Sequence, residues 1–408
     1  MLMRATRRAK LILAAGFLVL FVGGGARFAI GLTLKPMAEQ LSWGRSELGL
    51  AVALFQVVSA SCMFVAGALA DRVSLKVLFG VGLVVAGVGI ALMSLVSAPW
   101  HALALYGVVF ALGNGTASII PVGVMVTRAF PARAGFANAV ASSGLSLGQL
   151  VMVAALAAVL VDLGWRSVFV WLGVAHLLLL VIAVPAVPGR PHTQIGHAVS
   201  RPPGMTLGEA AGTGRFWLLL GIYAMCGFDD FFVSTHVVAF AQDRGVDAFL
   251  AGNLLALMGL SALVGVLASG AWSDRVGPVW PTASAFAARV AVFVLISLDQ
   301  SATSVAVFAL VFGATFLTTA PLTVVFVRDS FGTKHLGALT GLITMVHHIC
   351  GGLGAYLGAR IFDATHRYDG AFAVMLVSSI IALVLTLQLR RGQTHRYTHS
   401  QGSPRRGP

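Results

Sequence analysis

The sequence predicts an all-α membrane protein of about twelve transmembrane helices, arranged as two pseudo-symmetric six-helix bundles. Composition is the first observation behind this. The 408 residues are 58% apolar and only 10% charged, with a mean hydropathy of +0.91, whereas a soluble domain carries about 25% charged residues. A repeat is the second. Gly67-Ala68-Leu69-Ala70-Asp71-Arg72-Val73 returns as Gly270-Ala271-Trp272-Ser273-Asp274-Arg275-Val276. The offset, 274 − 71 = 203 residues, is about half the chain. Each copy ends one long apolar run and precedes another. At the same offset Arg27-Phe28 falls on Asp230-Phe231, and Ala53-Leu54 on Ala256-Leu257. A duplicated run–turn–run unit in an apolar chain points to two homologous halves.

The elements follow in order. Met1–Lys10 is a basic tail holding Arg4, Arg7, Arg8 and Lys10. Apolar runs then occupy roughly 11–34, 47–70, 77–97, 101–127, 135–161 and 165–187, and again 215–242, 248–272, 281–298, 302–327, 336–361 and 369–390. At about 20 residues each, they suffice to cross a ~30 Å hydrocarbon core as helices. The first run has no small-residue cleavage site, so it is expected to be retained as a helix. Residues 188–214 contain Pro, Gly, His and Arg without apolar periodicity, and are expected to link the halves. The predicted divisions are therefore 1–187, 188–214, 215–390 and a disordered basic tail at 391–408. Pro121 and Pro321 stand at matching places in the fourth and tenth runs, where each removes a backbone donor and permits a break. Gly144 and Gly148 in the fifth run, and Gly351, Gly352, Gly354 and Gly358 in the eleventh, provide faces for close helix approach.

The net charge of +13 would suit a nucleic-acid partner, but the basic residues sit in short loops and at both tails. That is how charge is distributed about a membrane, and it predicts a multi-pass protein of the inner membrane with both termini cytoplasmic. Cys62, Cys226 and Cys350 lie singly inside apolar runs, with no zinc spacing and no disulfide framework. The chain has no phosphate-binding Walker loop, dinucleotide fingerprint or zinc-type motif, so neither an enzyme, a resident cofactor or metal, nor an ATP-driven pump is expected.

A charge near the bilayer centre costs about 2.5–3.5 kcal/mol on insertion scales, so such residues face a cavity or a partner. Arg27 lies ~24 Å into the first run and Asp230 ~22 Å into the seventh, at 1.5 Å per residue. The repeat maps one onto the other, so they are expected to face each other across a central path, either as substrate cation and proton acceptor or as a structural ion pair. Asp229 and Asp230 are adjacent and point about 100° apart on a helix; one of them is expected to carry protons. His236 is placed for a pH-sensitive role or an interfacial one. His347 and His348 diverge on one helix, which excludes a two-ligand metal site but leaves either free to donate to a substrate. Arg289 is expected to snorkel or to pair within its bundle, and His176 to pack between helices. Asp71, Arg72, Arg128, Asp274, Arg275 and Arg328 form a charge belt on one side, expected to make and break ion pairs as the halves move.

The Gly67…Asp71-Arg72…Lys76 turn resembles the signature between helices 2 and 3 of the major facilitator superfamily, with Gly270…Asp274-Arg275 as its echo; Ser74 and Leu75 depart from the usual Gly and basic residue. Leu34-Lys35-Pro36-Met37 and Ser42-Trp43-Gly44-Arg45-Ser46-Glu47 resemble the bacterial monocarboxylate and oxalate–formate porters. So do Phe130-Pro131-Ala132-Arg133-Ala134-Gly135-Phe136-Ala137, Ser234-Thr235-His236 with Asp243-Arg244-Gly245, and Val346-His347 with Gly354-Ala355-Tyr356-Leu357-Gly358. The resemblance spans roughly residues 11–390. It implies an alternating-access secondary transporter and is silent on the substrate; with the intramembrane charges beside it, a small monocarboxylate carried with a proton is expected, by a monomer. Animal members of the group place an Asp and an Arg in helix 8, whereas Leu254 to Trp272 carries no charge, so that chemistry does not transfer. The fifth run also lacks the Gly-Pro pair typical of drug–proton antiporters. The competing expectations are an exporter of a larger organic metabolite or drug, and a non-transporting membrane sensor of the same fold.

Overall fold

The computed structural model describes residues 7–70, 73–130, 134–189, 204–332 and 335–400. Its spans are α1 (Arg7–Leu41), α2 (Arg45–Leu69), α3 (Leu75–Leu92), α4 (Pro99–Ala129), α5 (Ala134–Leu163), α6 (Trp165–Ile182), α7 (Gly214–Asp243), α8 (Ala248–Val276), α9 (Val279–Leu298), α10 (Ala302–Phe316 with Thr319–Phe331), α11 (Leu336–Thr365) and α12 (Asp369–Ser400). Among the described residues, eleven helices are long and apolar enough to cross a membrane, and twelve once the bent pair in α10 counts as one span. Twelve crossings return the chain to the side on which it began, called here the terminus side.

Local chemistry explains the boundaries. Asp247, Thr213 and Ser301 accept backbone N–H bonds at the starts of α8, α7 and α10. Gly277 joins α8 to α9 at φ +80, a conformation that favours glycine. Three spans are broken. α1 interrupts at Arg27-Phe28, just after Gly23-Gly24-Gly25. α4 and α10 interrupt before Ile119 and Thr319, which places Pro121 and Pro321 each third in the helix that follows. There the missing N–H is one that a first turn leaves unpaired anyway. α4 also widens to a π-helix over Leu103–Phe110.

Two boundaries differ from expectation. α12 runs on to Ser400, past Arg390 where the tail was expected to leave it; the stretch holds no proline to stop a helix. Within the expected linker, Leu207–Ala211 is a short helix, started by the reciprocal Thr206–Glu209 capping box. Met205 N–H donates to Phe331 O, tying that segment to the end of α10.

The apolar core is divided unevenly. One cluster joins both sets of six helices, with Ile30, Leu34, Phe55 and Leu156 from the first and Phe232, Phe240, Leu255 and Phe308 from the second. All of these lie in the half away from the terminus side. On the terminus side there are instead two separate clusters: one around Leu20, Leu83, Val122 and Met125 of the first six helices, the other around Phe216, Phe286, Phe326 and Ile343 of the last six. The glycines follow the same division. A Cβ on Gly352 of α11 would lie 2.8 Å from Ala53 Cα of α2, and one on Gly49 would lie 2.8 Å from Ala359 Cβ. Lipid tails are as apolar as leucine, so close packing of this kind, rather than burial from water, holds membrane helices together. Gly270, Gly337 and Gly341, nearer the terminus side, would meet nothing within 4 Å. The two sets of helices are therefore packed together on the far side and parted on the terminus side.

Candidate functional site

The break in α1 sets the level of the site. Arg27 stands at the break, and the Tyr106 hydroxyl of the π-helical stretch donates to its carbonyl at 3.0 Å. The freed carbonyl is thus satisfied by a neighbouring span. The Arg27 guanidinium is half-buried. It lies over the rings of Phe28 and Phe231, 5.5 and 5.3 Å from their centroids. Among the described residues no carboxylate lies within ion-pair distance of it.

Asp230 has a different cation from the one expected. Arg289 of α9, wholly buried, reaches across to it with N–O 2.7 Å. The rest of the guanidinium is also engaged: Nε donates to Thr315 Oγ1 at 3.0 Å, one amino group to Thr315 O at 3.1 Å and the other to Cys226 O at 3.4 Å, with Phe312 and Phe286 rings alongside. This corrects the alternative of an Arg27–Asp230 ion pair, while the two groups remain near enough to act on each other. The repeat equates positions in the two halves, but a partner is set by which side chain reaches the site, and here the long side chain of Arg289 extends from α9 to α7. Arg289 pairs within its bundle and does not snorkel.

The other Asp230 oxygen faces His347 Nε2 at 3.7 Å and accepts from Cys226 Sγ at 3.4 Å. Ligand atoms of Cys226, Asp230 and His347 lie within 4.8 Å of one another. That grouping is of metal-binding type, but Arg289 supplies its positive charge, 2.7 Å from Asp230 and 3.6 Å from Cys226 Sγ. Asp229 turns away from this cluster, toward α12, where Ser379 donates to it at 2.7 Å. The two aspartates are thus directed apart, as adjacent helical positions require. His347 and His348 are both half-buried. Their Nδ1 atoms lie 3.2 Å from Tyr223 O and 2.8 Å from Thr344 O, and both rings pack on Phe231, at 5.7 and 5.4 Å. Arg27, Phe231, His347, His348 and Asp230 thus form one neighbourhood between α1, α7 and α11.

The remaining predicted residues lie elsewhere. His236 is buried on the far side, with Nδ1 3.0 Å from the Tyr368 hydroxyl and Nε2 2.8 Å from Ala355 O. His176 is buried between helices against Phe110, with Nδ1 2.8 Å from Leu172 O. On the terminus side Arg128 donates to Ala70 O at 3.3 Å, and Arg328 pairs with its neighbour Asp329 at 2.8 Å. Asp274 and Arg275 are exposed, with no ion pair between them and other described residues. Asp71 and Arg72 lie outside the described residues.

Two features escaped the sequence reading. Cys226 stands one helical turn before Asp230, an i, i+4 spacing that was available as a signal. The bidentate pair of Arg45 with Asp243, at 2.7 and 2.9 Å, joins residues 198 apart, and no local pattern announces it.

Known proteins place the chain. The family profile of the Major Facilitator Superfamily matches residues 16–355 and, again, 219–406. The chain is 25% identical over 400 residues to the uncharacterized MFS-type transporter YcxA of Bacillus subtilis (strain 168), covering 90% of this chain and 95% of that protein. It is 26% identical over 359 residues to monocarboxylate transporter 13 of Rattus norvegicus, covering 83% and 77%. It is also 25% identical over 396 residues to the membrane sensor protein UhpC of Salmonella typhimurium, covering 87% and 85%. In fold it is similar to a mutant form of the nucleoside transporter NupG, with TM-score 0.77, 11% identity and coverage of 94% and 99%. A bacterial homologue of the lysosomal transporter Spinster, in an inward-facing and occupied conformation, gives TM-score 0.76, 16% identity and coverage of 95% and 98%. With both its halves matched and a twelve-span fold shared with these transporters, this chain belongs to the Major Facilitator Superfamily.

Proposed function

We propose that the protein carries a small organic monocarboxylate, together with a proton, across the cytoplasmic membrane by alternating access. The terminus side is then cytoplasmic, and residues 1–187 and 215–390 move as the two rocking units. One observation supports this reading most: a half-buried Arg27 guanidinium at mid-span, without a carboxylate partner among the described residues, beside a carboxylate that already has its own cation. An intramembrane cation left unpaired is stabilised by an incoming anion. Its planar fork matches a carboxylate in two parallel hydrogen bonds, and His347 or His348 supplies a further donor. The similarity to monocarboxylate transporter 13 agrees with this substrate class.

Asp230 is the proton site in this reading. Arg289 and His347 stand beside it, so the carboxylate left when its proton departs is not bare in the membrane. A substrate anion arriving at Arg27 adds a second negative charge nearby and favours that uptake. Substrate and proton then bind in the same direction, as symport requires. The test is uptake of a panel of radiolabelled monocarboxylates into proteoliposomes, with and without an imposed pH gradient. One member is expected to accumulate only with the gradient, and Arg27→Ala is expected to abolish its uptake. If no carboxylate is moved under either condition, or if Arg27→Ala transports normally, the reading is wrong. The similarity to a membrane sensor supports a second reading, in which a carboxylate binds but is not moved; equilibrium binding on the same samples separates the two.

A further inference from the structure

On the far side, six charged or polar groups from both sets of helices converge within a few ångströms. Arg45, at the first turn of α2, is almost wholly buried. Its guanidinium forks onto Asp243 at the end of α7 (2.7 and 2.9 Å), donates to the Tyr368 hydroxyl at 2.7 Å, and lies 3.7 Å from the centroid of the Phe362 ring. Lys35, near the end of α1, adds a second cation to Asp243 at 2.9 Å. Asp363, at the end of α11, accepts from the backbone N–H groups of Arg45 and Ser46, both at 2.8 Å. It thus caps α2 from the opposite set of helices, where an acidic group also meets the positive end of the helix dipole. The Tyr368 hydroxyl is shared with His236. Gly44 has to be small here: a Cβ would lie 2.7 Å from an oxygen of Asp363.

Each of these bonds but the Tyr368–His236 one crosses from the first six helices to the last six. Those that cross lie within neither bundle's own core, so they are not needed to hold a bundle together. The same face carries the one apolar cluster that both sets share, while the terminus side has two clusters that do not meet. We infer that Arg45, Asp243 and Asp363 are positioning residues of a latch, which holds the far side shut and must part for the site to open there. A bidentate Arg–carboxylate pair shielded from water by Phe362 and Tyr368 is of the strong kind. A helix end capped in trans adds a bond that separation also breaks. The inference does not depend on the substrate or on proton coupling.

The test uses hydrogen–deuterium exchange of the whole protein in lipid nanodiscs, comparing the parent with Asp243→Asn. Bonds to charged groups of this type bias an equilibrium by roughly tenfold or more. The expected result is reciprocal. Amides in 236–250 and 355–368, on the far side, should exchange several-fold faster, while those in 264–276 and 336–345, beside the open terminus-side gap, should exchange more slowly. A merely structural role would loosen the far side and leave the terminus side as it was. Asp363→Asn should move both regions in the same sense by a smaller factor, and provides the test if Asp243→Asn does not fold. Faster exchange on the far side without protection on the terminus side, or no change on either, would overturn the latch.

Discussion

Arg27 and Arg289 are both arginines at membrane depth, and their surroundings separate their roles. Arg289 is wholly buried, with Asp230, Thr315 and Cys226 around it. Arg27 is half-buried and meets aromatic faces instead. Arg27→Lys keeps the charge but loses the fork, so carboxylate affinity should fall by roughly tenfold while the protein inserts normally; equilibrium binding checks this. The buried pair makes a different prediction. Removing one partner strands the other charge at a cost of about 3–5 kcal/mol, whereas replacing both is close to neutral. Arg289→Met alone should therefore lower the melting temperature in detergent sharply. Arg289→Met with Asp230→Asn should recover most of it. The Asp230→Asn change should also abolish pH-gradient-driven accumulation while sparing counterflow at equal pH. If Asp230→Asn still concentrates substrate, the proton travels by another group, with His347 the nearest.

At the scale of elements, interruptions in the helices position the site. The break at Arg27-Phe28 turns a continuous span into two, and the π-helical stretch of α4 brings Tyr106 to the exposed carbonyl. The prolines of α4 and α10 were readable from their matched positions. The π-helix was not, because Leu103–Phe110 is as apolar and as helix-compatible as its neighbours. Close approach predicts a further result. Gly352 leaves no room toward the Ala53 backbone, and backbone cannot swing aside as a side chain can. Gly352→Leu should force α2 and α11 apart on the far side, lowering the melting temperature and raising exchange at 45–55. Unchanged exchange there would contradict the closed far side.

Across the whole molecule, three apolar clusters describe the state: one shared on the far side, two separate on the terminus side. Asp274 and Arg275 make no ion pair within 4 Å with other described residues, though Asp274 lies near enough to Arg328 to act on its charge. If the charge belt closes the terminus side, Asp274→Asn should slow turnover several-fold with little change in substrate affinity. Stopped-flow uptake beside equilibrium binding checks the split, and a large loss of affinity at normal turnover would refute it. Much of this was legible in the chain. The span count and the repeat follow from runs of apolar residues, because a bilayer leaves a twenty-residue apolar segment no other stable arrangement than a helix. The ionisable residues at membrane depth were also legible, because they are few. What the linear order did not hold was their pairing. Asp230 with Arg289, and Arg45 with Asp243, are joined by long side chains that reach between helices far apart in sequence. Repeat symmetry equates positions without saying which neighbours meet. Which side is closed is likewise a property of the packed bundles, decided by contacts between residues far apart in sequence.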